Sequence, residues 1–346
     1  METIDKQKLK EMYDKLLDYY QKGMFLDFLN LYKKYEEASG IDNINAKIFF
    51  CAGKVMSKLN RIDEAEKFFK LAVMRYAVSA PAFYELGAIY EKRKDYYQAL
   101  EYYELSLKYS HDNYKTKSLM AIGNLYTKMG RYEEAIGCFE YILLLEPDNA
   151  KVLNKMGNIF LLQKNYEKAR KYLKKALKID SLNLTTIVSL GKVSYGEGDF
   201  TMACNYFENA ISINEYGNGP TLYEAYLNLA NTYISLGDEN DSYYLDAEKM
   251  LRDIITSTKI QRIKAFAYVY LGDIKRKMKK YDEAEGLYLN AIKANCYVTE
   301  SYFRLADLFM MMNREIDARR MSDKAILLEM KDVKYFLNEQ SQTILM

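Results

Sequence analysis

Apolar residues recur at intervals of three and four along almost the whole chain, which is the spacing of amphipathic α-helices. The stretch GRYEEAIGCFEYILLLEPDN at residues 130–149 shows this spacing, and near-copies of it begin at Asn60, Lys164 and Lys279. Short polar breaks such as KMGRY separate the apolar runs, and Asp or Asn stands where a following helix would start. The sequence therefore predicts an all-α chain of helix pairs joined by short turns.

A frame of 34 residues aligns these helix pairs. With Gly157 placed at position 8, that position carries Gly or Ala in eight units: Gly53, Gly87, Gly123, Gly157, Gly191, Ala230, Gly272 and Ala306. Position 20 is Ala in all eight: Ala65, Ala99, Ala135, Ala169, Ala203, Ala247, Ala284 and Ala318. Position 24 is mostly a large side chain. Small residues at positions 8 and 20 predict a close crossing of the two helices, because larger side chains would overpack it at a cost of roughly 1–3 kcal/mol.

This pattern resembles the tetratricopeptide repeat. AFYELGAIY at 82–90 and SLMAIGNLY at 118–126 match the first half of that repeat, while RYEEAIGCF at 131–139 and LLLEPDN at 143–149 match the second half. The resemblance implies an α-solenoid, a right-handed superhelix of antiparallel helix pairs with about nine repeats and a C-terminal capping helix. In such a stack each unit buries the apolar face of its neighbour.

The frame divides the chain into three predicted segments. They are a degenerate N-terminal helix pair at 1–45, eight repeats at 46–330, and a C-terminal capping helix with a short tail at 331–346. Phe28 replaces the small residue of position 20 in the first segment, so we expect looser or differently angled packing there. The repeat spacing is stretched at 215–220 and again at 236–247, which predicts a longer turn inside the seventh unit.

In the family that the chain resembles, the first helix of each pair lines a concave groove and presents positions 2, 5, 6, 9, 12 and 13 to a bound peptide. An amide side chain can donate to a backbone carbonyl and accept from a backbone N–H at the same time. A row of amides could therefore hold an extended chain whatever its sequence. The amides at these positions are Asn124, Asn154, Asn158, Asn228 and Asn231.

Charged and aromatic residues complete the predicted peptide-binding set. Its remaining members are Lys54, Tyr84, Lys117, Lys151 and Lys192. Asp273, Glu300 and Asp307 fall on the same positions near the other end, where arginines offset them. We therefore expect the partner to be another protein, which docks an extended and acidic segment in the amino-terminal and central groove.

Two other functions stay open as alternatives. The first is a peptide-responsive regulatory protein, in which a short peptide in the groove alters the superhelix. The second is nucleic-acid binding through basic convex helices, since KNYEKARKYLKKALK at 164–178 and KRKMKK at 275–280 are strongly basic. The chain has 50 Lys and Arg against 48 Asp and Glu, so no overall field favours nucleic acid. Binding to nucleic acid is therefore not the leading expectation.

Catalytic and cofactor chemistry finds no support in the sequence. His111 is the lone histidine, no glycine-rich phosphate loop is present, and the four cysteines are far apart. DENDSYYLDAEK at 238–249 begins like a calcium loop but lacks its central Gly and its final Glu. We predict no enzyme activity, cofactor, metal site or small-molecule substrate. The charged start METIDKQKLK and the lack of a long apolar run predict a cytoplasmic protein without a membrane contact.

Overall fold

A computed structural model of the chain describes residues 6–110, 114–213, 219–238 and 240–343. Its described elements are all helical, with no strand among them, as the periodicity predicted. The chain divides into two compact units, Met1–Pro147 and Asp148–Met346. His111 lies outside the described residues.

The first unit consists of helices that pack in consecutive pairs. A short 3-10 helix, Ile41–Asn43, follows the first pair. The α-helices are α1 Lys6–Gln21, α2 Phe25–Ser39, α3 Ala46–Lys58, α4 Ile62–Arg75, α5 Ala80–Lys92, α6 Tyr96–Lys108, α7 Lys115–Lys128 and α8 Tyr132–Leu145.

The second unit repeats the same pairing. Its helices are α9 Ala150–Leu162, α10 Tyr166–Ile179, α11 Leu184–Gly196, α12 Phe200–Ile213, α13 Pro220–Leu236, α14 Ser242–Ser257, α15 Gln261–Lys277, α16 Tyr281–Ala294, α17 Thr299–Met311 and α18 Glu315–Thr343. The first helices of successive pairs also pack on one another, α9 on α11, α11 on α13, α13 on α15 and α15 on α17. They therefore form a continuous layer within this unit.

Asparagine side chains start several helices, as the sequence predicted. The side-chain oxygens of Asn45, Asn149 and Asn183 each accept a hydrogen bond from a backbone N–H three residues later. This contact satisfies a donor that has no partner inside the helix. Between the two helices of most pairs, one residue takes a left-handed conformation, with φ of 73° at Gly130 and 57° at Lys164. The chain can therefore reverse within three or four residues.

In the pairs that have Gly at position 8, this residue lies directly against the side chain of position 24. A Cβ atom added at Gly53 would lie 2.6 Å from the ring of Phe69, and one at Gly191 would lie 2.5 Å from the ring of Phe207. Phe69 and Phe207 are fully buried. The alanines of position 20 are buried as well. The sequence prediction of small residues at the crossing is thus confirmed, and the large side chain of position 24, which lies over the glycine, is the contact that requires them.

Two features concern the predicted end segments, the first a boundary and the second the packing of the N-terminal pair. Helix α18 runs through residues 330 and 331 without a break, so 331–343 continues the last helix of the repeat array instead of forming a separate one. Phe28 is fully buried, with its ring centroid 6.4 Å from that of Tyr32 and 6.5 Å from that of Tyr20. An aromatic cluster therefore fills the first pair where later pairs use alanine.

Within the described part of the chain, no helix is both long enough and apolar enough to cross a membrane.

Candidate peptide-binding face

All the predicted peptide-binding residues lie on the first helices of their pairs. We use the name first-helix face for the solvent side of these helices, which are α3, α5 and α7 in the first unit and α9, α11, α13, α15 and α17 in the second. Lys54, Tyr84, Lys117 and Asn124 lie in the first unit, and the other six residues lie in the second.

In the first unit, Lys54 is already paired. Its ammonium group lies 2.8 Å from the carboxylate of Glu85 on the following first helix. Tyr84 is half-buried, with ring centroids 5.4 Å from Tyr103 and 6.0 Å from Tyr114. Burial raises the pKa of Tyr84 above its ordinary value, and Glu85 adds to this effect. Lys54 and Tyr84 therefore contribute to the packing of α3, α5 and α7 as well as to their surface.

Lys117 and Asn124 of α7 keep their polar groups available. Lys117 is exposed, and its ammonium group lies 4.9 Å from the centre of the Tyr114 ring. Asn124 is half-buried. Within the described residues, the Asn124 amide has no hydrogen-bond partner and Lys117 has no carboxylate partner.

In the second unit, two of the predicted amides are bonded to each other and to the next first helix. The Asn158 amide nitrogen donates to the Asn154 side-chain oxygen at 2.8 Å. The Asn154 nitrogen donates to the Thr186 hydroxyl at 2.8 Å, and the Ser189 hydroxyl donates to the Asn158 oxygen at 2.7 Å. Because an amide has two N–H groups and two acceptor lone pairs, each asparagine keeps one of each for another molecule. The network therefore fixes the orientation of the two amides without exhausting them.

The remaining residues of the second unit vary in their engagement. The ammonium group of Lys192 forms an ion pair with the carboxylate of Glu224 on α13. The Asn228 amide donates to the backbone oxygen of Glu224 at 2.7 Å. Lys151 is exposed and Asn231 is half-buried, and neither has a side-chain partner in the part of the chain that the structure describes.

Of the three carboxylates expected at the far end of the face, that of Asp273 is not available. Asp273 is only 5% exposed, accepts a hydrogen bond from the Tyr288 hydroxyl at 2.7 Å, and lies 3.6 Å from the Arg304 guanidinium. Burial raises the pKa of Asp273, although the charge of Arg304 opposes this. The expectation that Asp273 faces the groove is therefore wrong, because its carboxylate is buried behind Arg304.

Sequence reasoning missed the residues that hold the face in place. They are Glu85, Thr186, Ser189 and Glu224, which accept from or donate to the predicted set across neighbouring helices. A detectable pattern exists for two of them: Glu85 and Ser189 each stand 31 residues after the position-9 residue that they contact. A search for complementary polar residues at that spacing would have found both contacts.

Comparison with known proteins agrees with this architecture. The family model of the tetratricopeptide repeat matches residues 79–143 and 116–181. A crystal structure of a tetratricopeptide repeat protein from Parabacteroides merdae superposes with a TM-score of 0.63 and 19% identity, covering 77% of this chain and 98% of that one. The helices, their pairing and the repeat frame define an α-solenoid of helical repeats. Residues 79–181 match the tetratricopeptide repeat family, and the fold of the chain is similar to that of a solved member.

Curated relatives match only part of the chain. The TPR repeat-containing protein YpiA of Bacillus subtilis is 28% identical over 122 residues, which is 35% of this chain and 28% of the relative. Protein O-mannosyl-transferase Tmtc3 of Drosophila melanogaster is 28% identical over 127 residues, 36% of this chain and 13% of the relative. The chain thus spans less than a third of either relative. The shared fold supports a general role as a protein-interaction scaffold.

Proposed function

We propose that the chain is a non-enzymatic adaptor that binds an extended, acidic segment of a partner protein along its first-helix face. The observation that carries the proposal is the pair Asn154 and Asn158, which is oriented by Thr186 and Ser189. Both amides retain a donor and an acceptor, and an extended backbone offers the complementary groups. Fixed side chains lose little conformational entropy when a ligand binds, which favours affinity.

Charge supports the acidic preference. The glutamates Glu85 and Glu224 on this face are neutralised by Lys54 and Lys192. Lys117 in the first unit and Lys151 in the second remain exposed without a carboxylate partner among the described residues. Each unit therefore offers a carboxylate of the partner one exposed lysine that has no carboxylate partner among the described residues.

Affinity capture tests this proposal. The full chain and a variant with Asn124→Ala, Asn158→Ala and Asn231→Ala are expressed in the native cell, and co-purified proteins are identified by mass spectrometry. We expect the main partner to be lost from the triple variant. A matched control replaces Asn205, Asn209 and Asn290, which are exposed asparagines on second helices, and should retain the partner. Equal recovery with both triple variants would contradict the proposal.

A second candidate function is nucleic-acid binding, which the basic surface of helix α10 supports. Its lysines at positions 168, 171, 175 and 178 are exposed and recur every three or four residues, while Ala169, Leu173 and Ala176 are buried on the other side. Such a row can contact the phosphates of RNA. If Lys171→Glu with Lys175→Glu abolishes a salt-sensitive binding of single-stranded RNA, and the asparagine variants do not alter it, then this second function is supported. Unchanged binding after charge reversal would remove it.

A further inference from the structure

Two first helices of the second unit are longer than their neighbours. α13 and α15 have 17 residues each, whereas α9, α11 and α17 have 13. Gly191 is the eighth residue of α11, but the equivalent Gly272 is the twelfth residue of α15. One helical turn contains 3.6 residues, so α15 has about one additional turn, roughly 6 Å, at its amino end. α13 is extended in the same direction, beginning at Pro220.

The additional turns, together with Lys192 of α11, line a cavity of about 520 Å³. Apolar side chains form much of its wall, and these are Pro220, Leu227, Ile260, Ile263 and Phe266. Ile260 is 39% exposed. Because apolar surface in contact with water is unfavourable, a partner side chain that filled the cavity would gain affinity from the area it covers. The volume is within the range of about 300–1,000 Å³ that is usual for ligand sites.

The rim of the cavity carries a net positive charge. Lys192 and Glu224 form an ion pair there, and their charges cancel. Arg262 is exposed, and its guanidinium carbon lies 5.9 Å from the centre of the Phe266 ring. No carboxylate among the described residues pairs with Arg262. The Asn228 side-chain oxygen, also on the rim, remains free to accept a hydrogen bond.

We propose that this cavity is an anchor site that accepts one large apolar side chain of an extended peptide, while Arg262 contacts a carboxylate next to that anchor. The inference rests on the proposed function, since it specifies the chemistry of the segment that the first-helix face holds. An exposed rim at Ile260 and Arg262 suits a chain that passes through the cavity. The unpaired guanidinium beside an apolar wall selects an acidic and apolar pair of neighbouring residues.

Synthetic peptides test the anchor site on the full chain. The probe is a fluorescein-labelled peptide of ten residues, Gly and Ser except for a central Phe with a Glu on each side, and its binding is followed by fluorescence anisotropy. We expect saturable binding that weakens at least about tenfold when Phe is replaced by Ala, which is the effect of burying one such side chain. Replacing both Glu by Gln should weaken binding about threefold at low salt and less at high salt.

Matched protein variants locate the binding. Ile260→Glu should weaken the Phe peptide at least about tenfold, whereas Leu289→Glu should not, although Leu289 on α16 is similarly exposed at 41%. Arg262→Glu should remove the preference for Glu over Gln, and Lys293→Glu, an exposed residue of α16, should keep it. Circular dichroism of each variant separates a loss of binding from a loss of folding.

Three results would overturn the anchor site. They are no saturable binding of the Phe peptide, equal binding of the Phe and Ala peptides, and binding of N-acetylphenylalaninamide as tight as that of the peptide. The last result would indicate a cavity for a small molecule. None of them affects the capture experiment with the asparagine variants, so the anchor site can fail while the proposed function stands.

Discussion

Two regions of the second unit share the same helix packing but differ in their exposed surface. One is formed by the first helices of 13 residues, α9 and α11, and the other by the longer first helices, α13 and α15. On α9 and α11, the side chains of Asn154 and Asn158 form hydrogen bonds with Thr186 and Ser189, so the surface is a polar network. On α13 and α15, an additional helical turn brings apolar residues to a cavity. The comparison teaches that one repeat frame can present a polar network on some first helices and an apolar cavity on others, within a single unit.

The largest expected effects are losses of unfolding free energy when a buried side chain is truncated in the core of either region. Phe207 packs over Gly191 in the α11–α12 pair, whereas Leu251 lies in one apolar cluster with Ala230 in the α13–α14 pair. Both large side chains are fully buried. We expect Phe207→Ala to lower the free energy of unfolding by about 4 kcal/mol and Leu251→Ala by about 3 kcal/mol, because the larger ring leaves the larger cavity. Urea unfolding followed by circular dichroism measures both, and a larger loss from Leu251→Ala would contradict this account.

Acid should act on Glu66, a half-buried glutamate of α4 that lies next to α5, a first helix of 13 residues like α9 and α11. Burial alone would raise the pKa of Glu66, but hydrogen bonds from Lys70, Tyr90 and Arg93 outweigh it and lower the pKa to about 2. A carboxylate whose pKa is lower in the folded state stabilises the protein above about pH 4.5, and this stabilisation is lost as the pH falls towards 2. Glu66→Gln should remove up to about 3 kcal/mol of pH-dependent stability.

The corresponding residue beside the extended helices provides the comparison for this pH effect. Glu248 is half-buried, and hydrogen bonds from Lys275 and Arg252 lower its pKa despite that partial burial. Glu248→Gln should therefore also flatten the loss of stability on acidification. Unfolding free energies measured from pH 7 to pH 2 decide the matter. A Glu66→Gln variant with the same acid sensitivity as the unmodified chain would show that this ion cluster does not stabilise the fold.

A smaller effect is expected from exchanging the helix-crossing residues of the two regions. Gly191→Ala places a Cβ atom 2.5 Å from the Phe207 ring, and we expect a loss of about 2 kcal/mol in unfolding free energy. Adding Phe207→Leu reproduces the Ala and Leu combination of the α13–α14 pair and should recover part of that loss. Ala230→Gly is the control and should cost about 1 kcal/mol through helix propensity. Strictly additive effects of the two substitutions would contradict the proposed contact.

The smallest expected effect is a difference in stability between two asparagine variants, at the hydrogen-bonded Asn158 and at Asn231, whose amide has no partner among the described residues. Asn158→Ala removes hydrogen bonds to Asn154 and Ser189 and should cost about 1 kcal/mol. Asn231→Ala removes a side chain without a partner among the described residues and should change stability by less than about 0.5 kcal/mol. Thermal unfolding of the two variants tests this order. Equal losses of stability would mean that the hydrogen bonds of Asn158 do not stabilise the packing of α9 on α11.

The repeat frame predicted the helix pairs because Gly at position 8 and Ala at position 20 report directly on a steric contact. It could not predict the long helices α13 and α15. The stretched spacing fixes how many residues are added, but whether they lengthen a turn or a helix depends on local capping and packing. Pro220 begins α13, and the Thr258 hydroxyl accepts from the Ile260 N–H at 3.1 Å before α15.

The residues of the first-helix face were predicted by position only. Asn124, Asn154, Asn158 and Asn231 all lie on first helices, as the resemblance implied. Their different engagement depends on which residue the neighbouring helix presents, such as Ser189 opposite Asn158. Such contacts depend on how neighbouring repeats superpose, which a single sequence does not specify.

Photocrosslinking from defined positions tests the central claim most directly. A photoreactive amino acid is placed in the native cell either at Asn231, on the first-helix face, or at Asn290, on the outer helix α16, and the attached peptides are sequenced. We predict that Asn231 captures one acidic, extended segment of a single protein and that Asn290 captures none of it. Capture of the partner from Asn290 alone would contradict binding through the first helices.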